Sequence, residues 1–306
     1  LLLWYDYTMN NIQQLALIGP TASGKTALSI KLAQKMNAHI LSLDSLSIYK
    51  EIDIVSAKPT IEERSDIKHF GLDYLYPNED FDVTTFVKLY HEVYTLCQKE
   101  DKNLVIVGGT SFYLKMLIEG ISNVPTISDK TKVEASKHLT DLPSTYEWLY
   151  TVDPTYMINI ASNDTYRIEK ALHLYLETSL TPTIYFKRFP PKPTITDALP
   201  IYQIVIGREV LRERIELRTK LMLGEGLIDE ICMLEKKYSR KPNCMKAIGI
   251  KETLAYLDGL YDKKLLEEKI ITNTARLAKR QTTFNHSQFD NVIKGSVEAL
   301  EEILLK

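Results

Sequence analysis

Gly19-Pro20-Thr21-Ala22-Ser23-Gly24-Lys25-Thr26 satisfies the pattern G-x-x-x-x-G-K-[ST] in full. No other stretch limits the fold as tightly, because this pattern has physical meaning only between a strand and a helix. Both flanks comply. Leu15-Ala16-Leu17-Ile18 is a short apolar run of the kind expected for a buried parallel strand. From Thr26 to Met36, the residues Leu28, Leu32, Ala33 and Met36 form one apolar stripe, which predicts a helix. A loop of this type curls its backbone N–H groups around phosphate oxygens at a helix N-terminus. Lys25 adds a mobile cation, and the Thr26 hydroxyl is placed to ligate Mg2+. The eight residues are therefore expected to bind a phosphate or diphosphate.

The rest of the chain extends the same pattern. Further strands are predicted at Ile40 to Leu43, closing on Asp44, at Leu104 to Val107, ended by Gly108-Gly109-Thr110, and at Ile201 to Ile206. Everything after Arg208 reads as helix. Strand–helix alternation predicts an α/β fold, a P-loop NTPase-like parallel sheet flanked by helices. Residues 121–199 lack strong strand runs, read as helical and close on Pro190-Pro191-Lys192-Pro193. They are read as a mostly helical inserted domain, leaving 1–120 and 200–306 as the core with C-terminal helices. A chain of 306 residues is long enough for two such units.

Carboxyl ends of parallel strands converge on a ligand crevice, so Asp44 and Thr110 should both face the P-loop. Asp44 could orient a metal-bound water, accept a proton from a nucleophile, or cap the next helix. A nucleotide hydrolase usually ends another strand in an acidic residue, and here Gly108-Gly109-Thr110 is neutral.

At these positions the chain resembles the bacterial tRNA dimethylallyltransferase (tRNA isopentenyltransferase) family. After the P-loop come Asp44-Ser45 with Tyr49, Ala57-Lys58-Pro59-Thr60, and Val107-Gly108-Gly109-Thr110 with Tyr113-Leu114. Asp164 and Arg167 precede Ala171-Leu172, followed by Arg208, Arg214-Ile215 and Arg218. Ala247-Ile248-Gly249 with Lys251-Glu252 and Ala278-Lys279-Arg280-Gln281 complete an ordered series over roughly residues 15–285. The resemblance implies transfer of a dimethylallyl group from dimethylallyl diphosphate to N6 of the adenosine 3′-adjacent to the anticodon. It implies Asp44 as general base, with Thr110 positioning adenosine or diphosphate. Arg208 is the first choice for the leaving-group cation, with Arg214 and Arg218 as alternatives. Carried over residue by residue, the tRNA contacts are Asp44, Ser45, Leu46 and Ser47, then Thr110, Lys132, and Tyr166, Arg167, Ile168, Glu169 and Lys170. One departure falls among them: Leu46-Ser47 stands where the family usually has a basic and an amide side chain.

The implied partners are the tRNA anticodon stem-loop and dimethylallyl diphosphate, with Mg2+ as cofactor and the chain acting as a monomer. A net charge of −2 gives no bulk argument for nucleic acid, although cations outnumber acids in the last third. Two readings share the P-loop: a small-molecule kinase using Mg-ATP, and a prenyltransferase acting on free adenine nucleotides. A third is a regulatory module that binds nucleotide without transfer. Three widely spaced cysteines and scattered histidines argue against a disulfide framework or zinc site. No apolar run approaches the ~18–20 residues of a membrane span. Leu1 to Tyr5 is too short for a secretory signal, and Met9 could be the natural start. The expected compartment is the cytoplasm.

Overall fold

The computed structural model describes residues 12–306, so the reading of Met9 as the start lies outside the described residues. Two compact units emerge, one comprising the chain up to Lys115 together with Ile195–Lys306, the other Met116–Thr194.

The first unit is built on six parallel strands: β1 (Gln14–Ile18), β2 (Ala38–Ser42), β3 (His69–Phe70), β4 (Asn103–Gly108), β5 (Ile201–Ile204) and β6 (Ile293–Gly295). Their order is β3-β2-β4-β1-β5-β6. The P-loop strand β1 is central, with Leu15 opposite Val105 on β4 and Leu17 opposite Tyr202 on β5. Central strands are covered on both faces, which explains why β1, β2 and β4 read as continuous apolar runs. Leu15, Leu17, Ile40 and Val105 form one core with Leu28, Leu32 and Ala33 of the helix Lys25–Lys35. Leu300 of the C-terminal helix Val297–Leu305 closes the same core.

Three strand expectations need correction. β2 ends at Ser42, two residues before Asp44, and β5 stops at Ile204 rather than Ile206. Residues after Arg208 are not all helical, because β6 pairs with β5 at the sheet edge. An edge strand of three residues with an exposed, unpatterned side carries no run long enough to announce itself. The two-residue β3 at the other edge was invisible for the same reason.

The second unit contains only helices as regular elements, including Asp129–His138, Leu142–Val152 and Thr165–Thr178. They bury Ala135, Leu149, Met157, Ile160, Ile168, Ala171 and Leu172 in a core of their own. Side-chain caps from Ser128, Asp141 and Asp164 satisfy the first N–H groups of these helices.

Candidate active site

The P-loop leaves β1 and enters the helix Lys25–Lys35 through two positions of left-handed backbone, Ala22 at φ 62° and Gly24 at φ 94°. Left-handed backbone is free for glycine but strained for alanine, and such strain persists where surrounding structure enforces it. Lys25 Nζ donates to the Pro20 carbonyl at 2.6 Å and reaches Ser23 Oγ at 3.4 Å. The Lys25 ammonium therefore folds back over its own loop. Burial lowers its pKa to about 7; Asp44 opposes that shift and Arg218 reinforces it.

Asp44 follows β2 in a turn. Its Oδ1 accepts from the N–H groups of Leu46 at 2.8 Å and Ser47 at 3.0 Å. That oxygen closes a turn rather than capping a helix, since the next helix starts only at Ile61, while Oδ2 accepts no hydrogen bond from a described residue. One oxygen of the carboxylate thus fixes the turn while the other stays available.

The Gly108-Gly109 strand end has a packing cause. A Cβ on Gly108 would lie 2.6 Å from Leu43 Cβ, and one on Gly109 would lie 2.5 Å from Gln281 Nε2. Gln281 belongs to the long helix Lys263–Gln288, and its Oε1 accepts from the Thr21 N–H at 2.8 Å. The helix is seated here by Ala278, buried against Ile215 and Ile271 with Ala22 packed alongside.

A cavity of about 370 Å³ lies over the P-loop, lined by Thr21–Thr26, Asp44, Arg214, Arg218 and Gln281 among others. A second, of about 500 Å³, is lined by Asp44, Ser45, Leu46, Thr110, Arg218 and Gln281 and by the cations Lys246, Lys251, Arg276 and Arg280. Thr21, Asp44, Ser56, Arg218 and Gln281 line both and form their shared wall. Arg218 is held there by Thr21 Oγ1 at 3.2 Å and the Ser56 carbonyl at 3.4 Å. Burial lowers its pKa and Asp44 works in the opposite direction. The Ser56 segment is itself anchored, because the buried Glu230 carboxylate accepts from the N–H groups of Asp53, Ile54 and Val55. Lys58 pins the same segment through the Tyr49 carbonyl, Asp53 and Asp73 at 2.6–2.7 Å.

The structure gathers most of the expected residues and displaces others. Gly19 and Pro20 complete the loop, and Ser47 is buried beside the P-loop cavity, whereas Leu46 reaches the neighbouring one. Arg208 lines neither. It opens the helix Arg208–Gly224 and borders a separate groove with Leu211, Arg276 and Lys279. At ~100° per residue, Arg214 and Arg218 share a helix face, while Arg208 points about 80° away and lies ~15 Å before Arg218.

In the second unit, Tyr166 is 68% exposed, and Lys170 Nζ stands 5.4 Å over its ring. Arg167 is exposed and paired with Asp164, and Lys132 is paired with Asp129 at 2.8 Å. Glu169 faces His173. Ile168 cannot meet an RNA: it is 0% exposed in the core of the unit. A helix alternates faces, so a contiguous run such as Tyr166 to Lys170 cannot all be surface. Sequence reasoning gave no role to Gln281, Lys246 or Arg280, although Arg280 and Gln281 lie within a family motif and Lys246 immediately precedes another.

Comparison with known proteins identifies the family. The family described as IPP transferase matches residues 47–288. A tRNA dimethylallyltransferase of Sulfurovum sp. (strain NBC37-1) is 70% identical over 96% of this chain and 98% of its own length. One from Sulfurimonas denitrificans is 55% identical over 95% and 98%. Among solved structures, the full-length tRNA isopentenylpyrophosphate transferase of Bacillus halodurans aligns with a TM-score of 0.70 at 27% identity, covering 96% of each chain. A eukaryotic dimethylallyltransferase solved in the course of acting on tRNA aligns at 0.80 and 25% identity, covering 92% of this chain and 74% of its own.

Proposed function

Because the chain belongs to the IPP transferase family and is a tRNA-prenylating enzyme, we propose that its two cavities divide the reaction between them. The P-loop cavity takes the diphosphate of dimethylallyl diphosphate, and the neighbouring cavity takes an adenosine of the tRNA anticodon loop. The observation that carries this reading is the shared wall, where an unpaired carboxylate oxygen and a half-buried arginine stand between the two spaces. A small-molecule kinase is not favoured.

The chemistry follows from those groups. The adenosine N6 lone pair attacks C1 of the dimethylallyl group as the C1–O bond breaks, and the bond electrons leave with diphosphate. N6 loses its proton to Asp44 Oδ2, since an aromatic amine is too weakly basic to keep it once alkylated. Lys25, Arg218 and the P-loop N–H groups stabilise charge growing on the leaving group. Thr110 lines the acceptor side and positions the adenosine. A loop adenine splayed from its stack can enter such a cavity at lower cost than one in a duplex.

Mg2+ fits the site. The Thr26 side chain is exposed on the first helical turn, with no hydrogen bond to a described residue. No group of three or more His, Cys, Asp or Glu among the described residues could hold a metal ion. The cation would rest on the Thr26 hydroxyl, diphosphate oxygens and water, as Mg2+ commonly does beside phosphates. When bound, it would neutralise charge on the leaving group.

Lys132, Tyr166, Arg167 and Lys170 supply the second unit's grip on the anticodon stem-loop, through phosphates and stacking. The enzyme acts as a monomer in the cytoplasm. Three free cysteines, two of them buried, suit a reducing compartment, and no described helix is long and apolar enough to cross a membrane.

The test offers tRNA, AMP and ATP separately with dimethylallyl diphosphate and Mg2+, followed by mass spectrometry of the nucleosides. Dimethylallyladenosine in tRNA alone is expected. Modification of AMP or ATP alone would move the acceptor to free nucleotides and overturn the anticodon-loop reading.

A further inference from the structure

Gln281 contributes one half of its amide to the architecture described above. The Thr21 backbone can only donate, so Oε1 must be the atom facing it, and the orientation of the amide is fixed by that bond. Nε2 is then directed to the other side, beside Gly109, where even a methyl group would collide with it. No described residue accepts from Nε2. Two N–H donors therefore stand without partners at the wall common to the diphosphate and acceptor cavities.

Every other group on that wall already has work. Thr21 Oγ1 and the Ser56 carbonyl hold Arg218, and Asp44 is the only carboxylate. Donor-only groups at this boundary suit an incoming acceptor-rich anion. We infer that Gln281 Nε2 is a catalytic hydrogen-bond donor to the leaving diphosphate, aimed at the oxygen released when the C1–O bond breaks. Gly109 is glycine so that this donor can reach the boundary. The bond strengthens as negative charge develops, so its effect falls mainly on the transfer step. This inference rests on the assignment of the P-loop cavity to diphosphate.

Two variants separate donation from clamping. Gln281→Met keeps the length of the side chain and removes both halves of the amide. Gln281→Glu keeps an acceptor for Thr21 but removes the donors. Single-turnover transfer, affinity for inorganic diphosphate, affinity for tRNA and melting temperature are measured on each. Loss of one preorganised donor typically costs about 10²–10³-fold in rate. Both variants are expected to lose transfer on that scale and to bind diphosphate more weakly, with tRNA affinity and melting temperature near wild type. A Gln281→Glu variant with wild-type transfer and diphosphate affinity would overturn the inference and reduce Gln281 to a clamp on the loop. So would a Gln281→Met variant whose diphosphate affinity and rate are unchanged. Diphosphate binding reads Gln281 even when no tRNA product forms. Failure of wild-type prenylation therefore counts against the acceptor assignment and is distinguishable from failure here.

Discussion

The P-loop cavity and the exposed helix faces of the second unit both present cations, and they hold them in opposite ways. Lys25 and Arg218 are half-buried with no salt bridge to a carboxylate, and desolvation lowers the pKa of each. Arg167 and Lys132 stand in solvent, each paired with an aspartate three residues earlier. Partly desolvated cations without a salt-bridge partner cost stability in a ligand-free protein and are tolerated where an anion will arrive. Solvated cations cost little, contribute little to stability, and can exchange their partners for phosphates. The first arrangement fits chemistry at one fixed anion, the second fits a salt-sensitive grip on a polyanion.

Asp44 gives the largest test of this contrast. Asp44→Ala removes the proton acceptor, and general-base contributions run about 10²–10⁴-fold. Single-turnover transfer should fall on that scale while tRNA affinity changes little. A rate within about threefold of wild type would remove Asp44 from the reaction and leave it only its turn.

Lys25 follows. Lys25→Met should weaken inorganic diphosphate binding by about 10²-fold, the scale of a desolvated charge contact, without lowering the melting temperature of the ligand-free protein. The wild-type enzyme carries a pH signature of the same residue. With a pKa near 7, Lys25 is substantially neutral above that pH in the free protein. Bound diphosphate favours the ammonium, so binding takes up a proton, and affinity falls as pH rises from 7 towards 9. Calorimetry at pH 8 in buffers of different ionisation enthalpy should show that uptake. Its absence there would mean that Lys25 stays charged and solvated, like its counterparts on the second unit.

The smallest expected effect lies on that unit. Removing Arg167 and Lys170 together should weaken tRNA binding and reduce the slope of log affinity against log salt by about 1–2. Diphosphate affinity should not move. Melting temperature should hardly change, because an exposed pair at i,i+3 contributes at most about 1 kcal/mol. A clear fall in melting temperature with unchanged tRNA affinity would reassign Arg167 to helix stability.

Much of the first unit was legible because its signals are local. The glycine–lysine loop, the apolar run before it and the stripe after it fall within about twenty-five residues, and each reports a backbone requirement of its own neighbourhood. Strand ends in a parallel sheet must converge, and Asp44 accordingly lines the P-loop cavity, whereas Thr110 lines only the neighbouring one. The ordered series of motifs pointed to the family before any contact was known.

The tertiary structure decided which of three arginines on one helix reaches the P-loop cavity. It set Arg214 and Arg218 there and turned Arg208 towards another groove. It also buried Ile168 inside a run expected to face RNA, and brought Gln281 across some 260 positions to the Thr21 N–H. The reason is physical. A sequence motif records which residues are needed, but the phase of a helix and the partner it packs against are set by burial of the whole apolar face. That burial depends on residues far away in the chain.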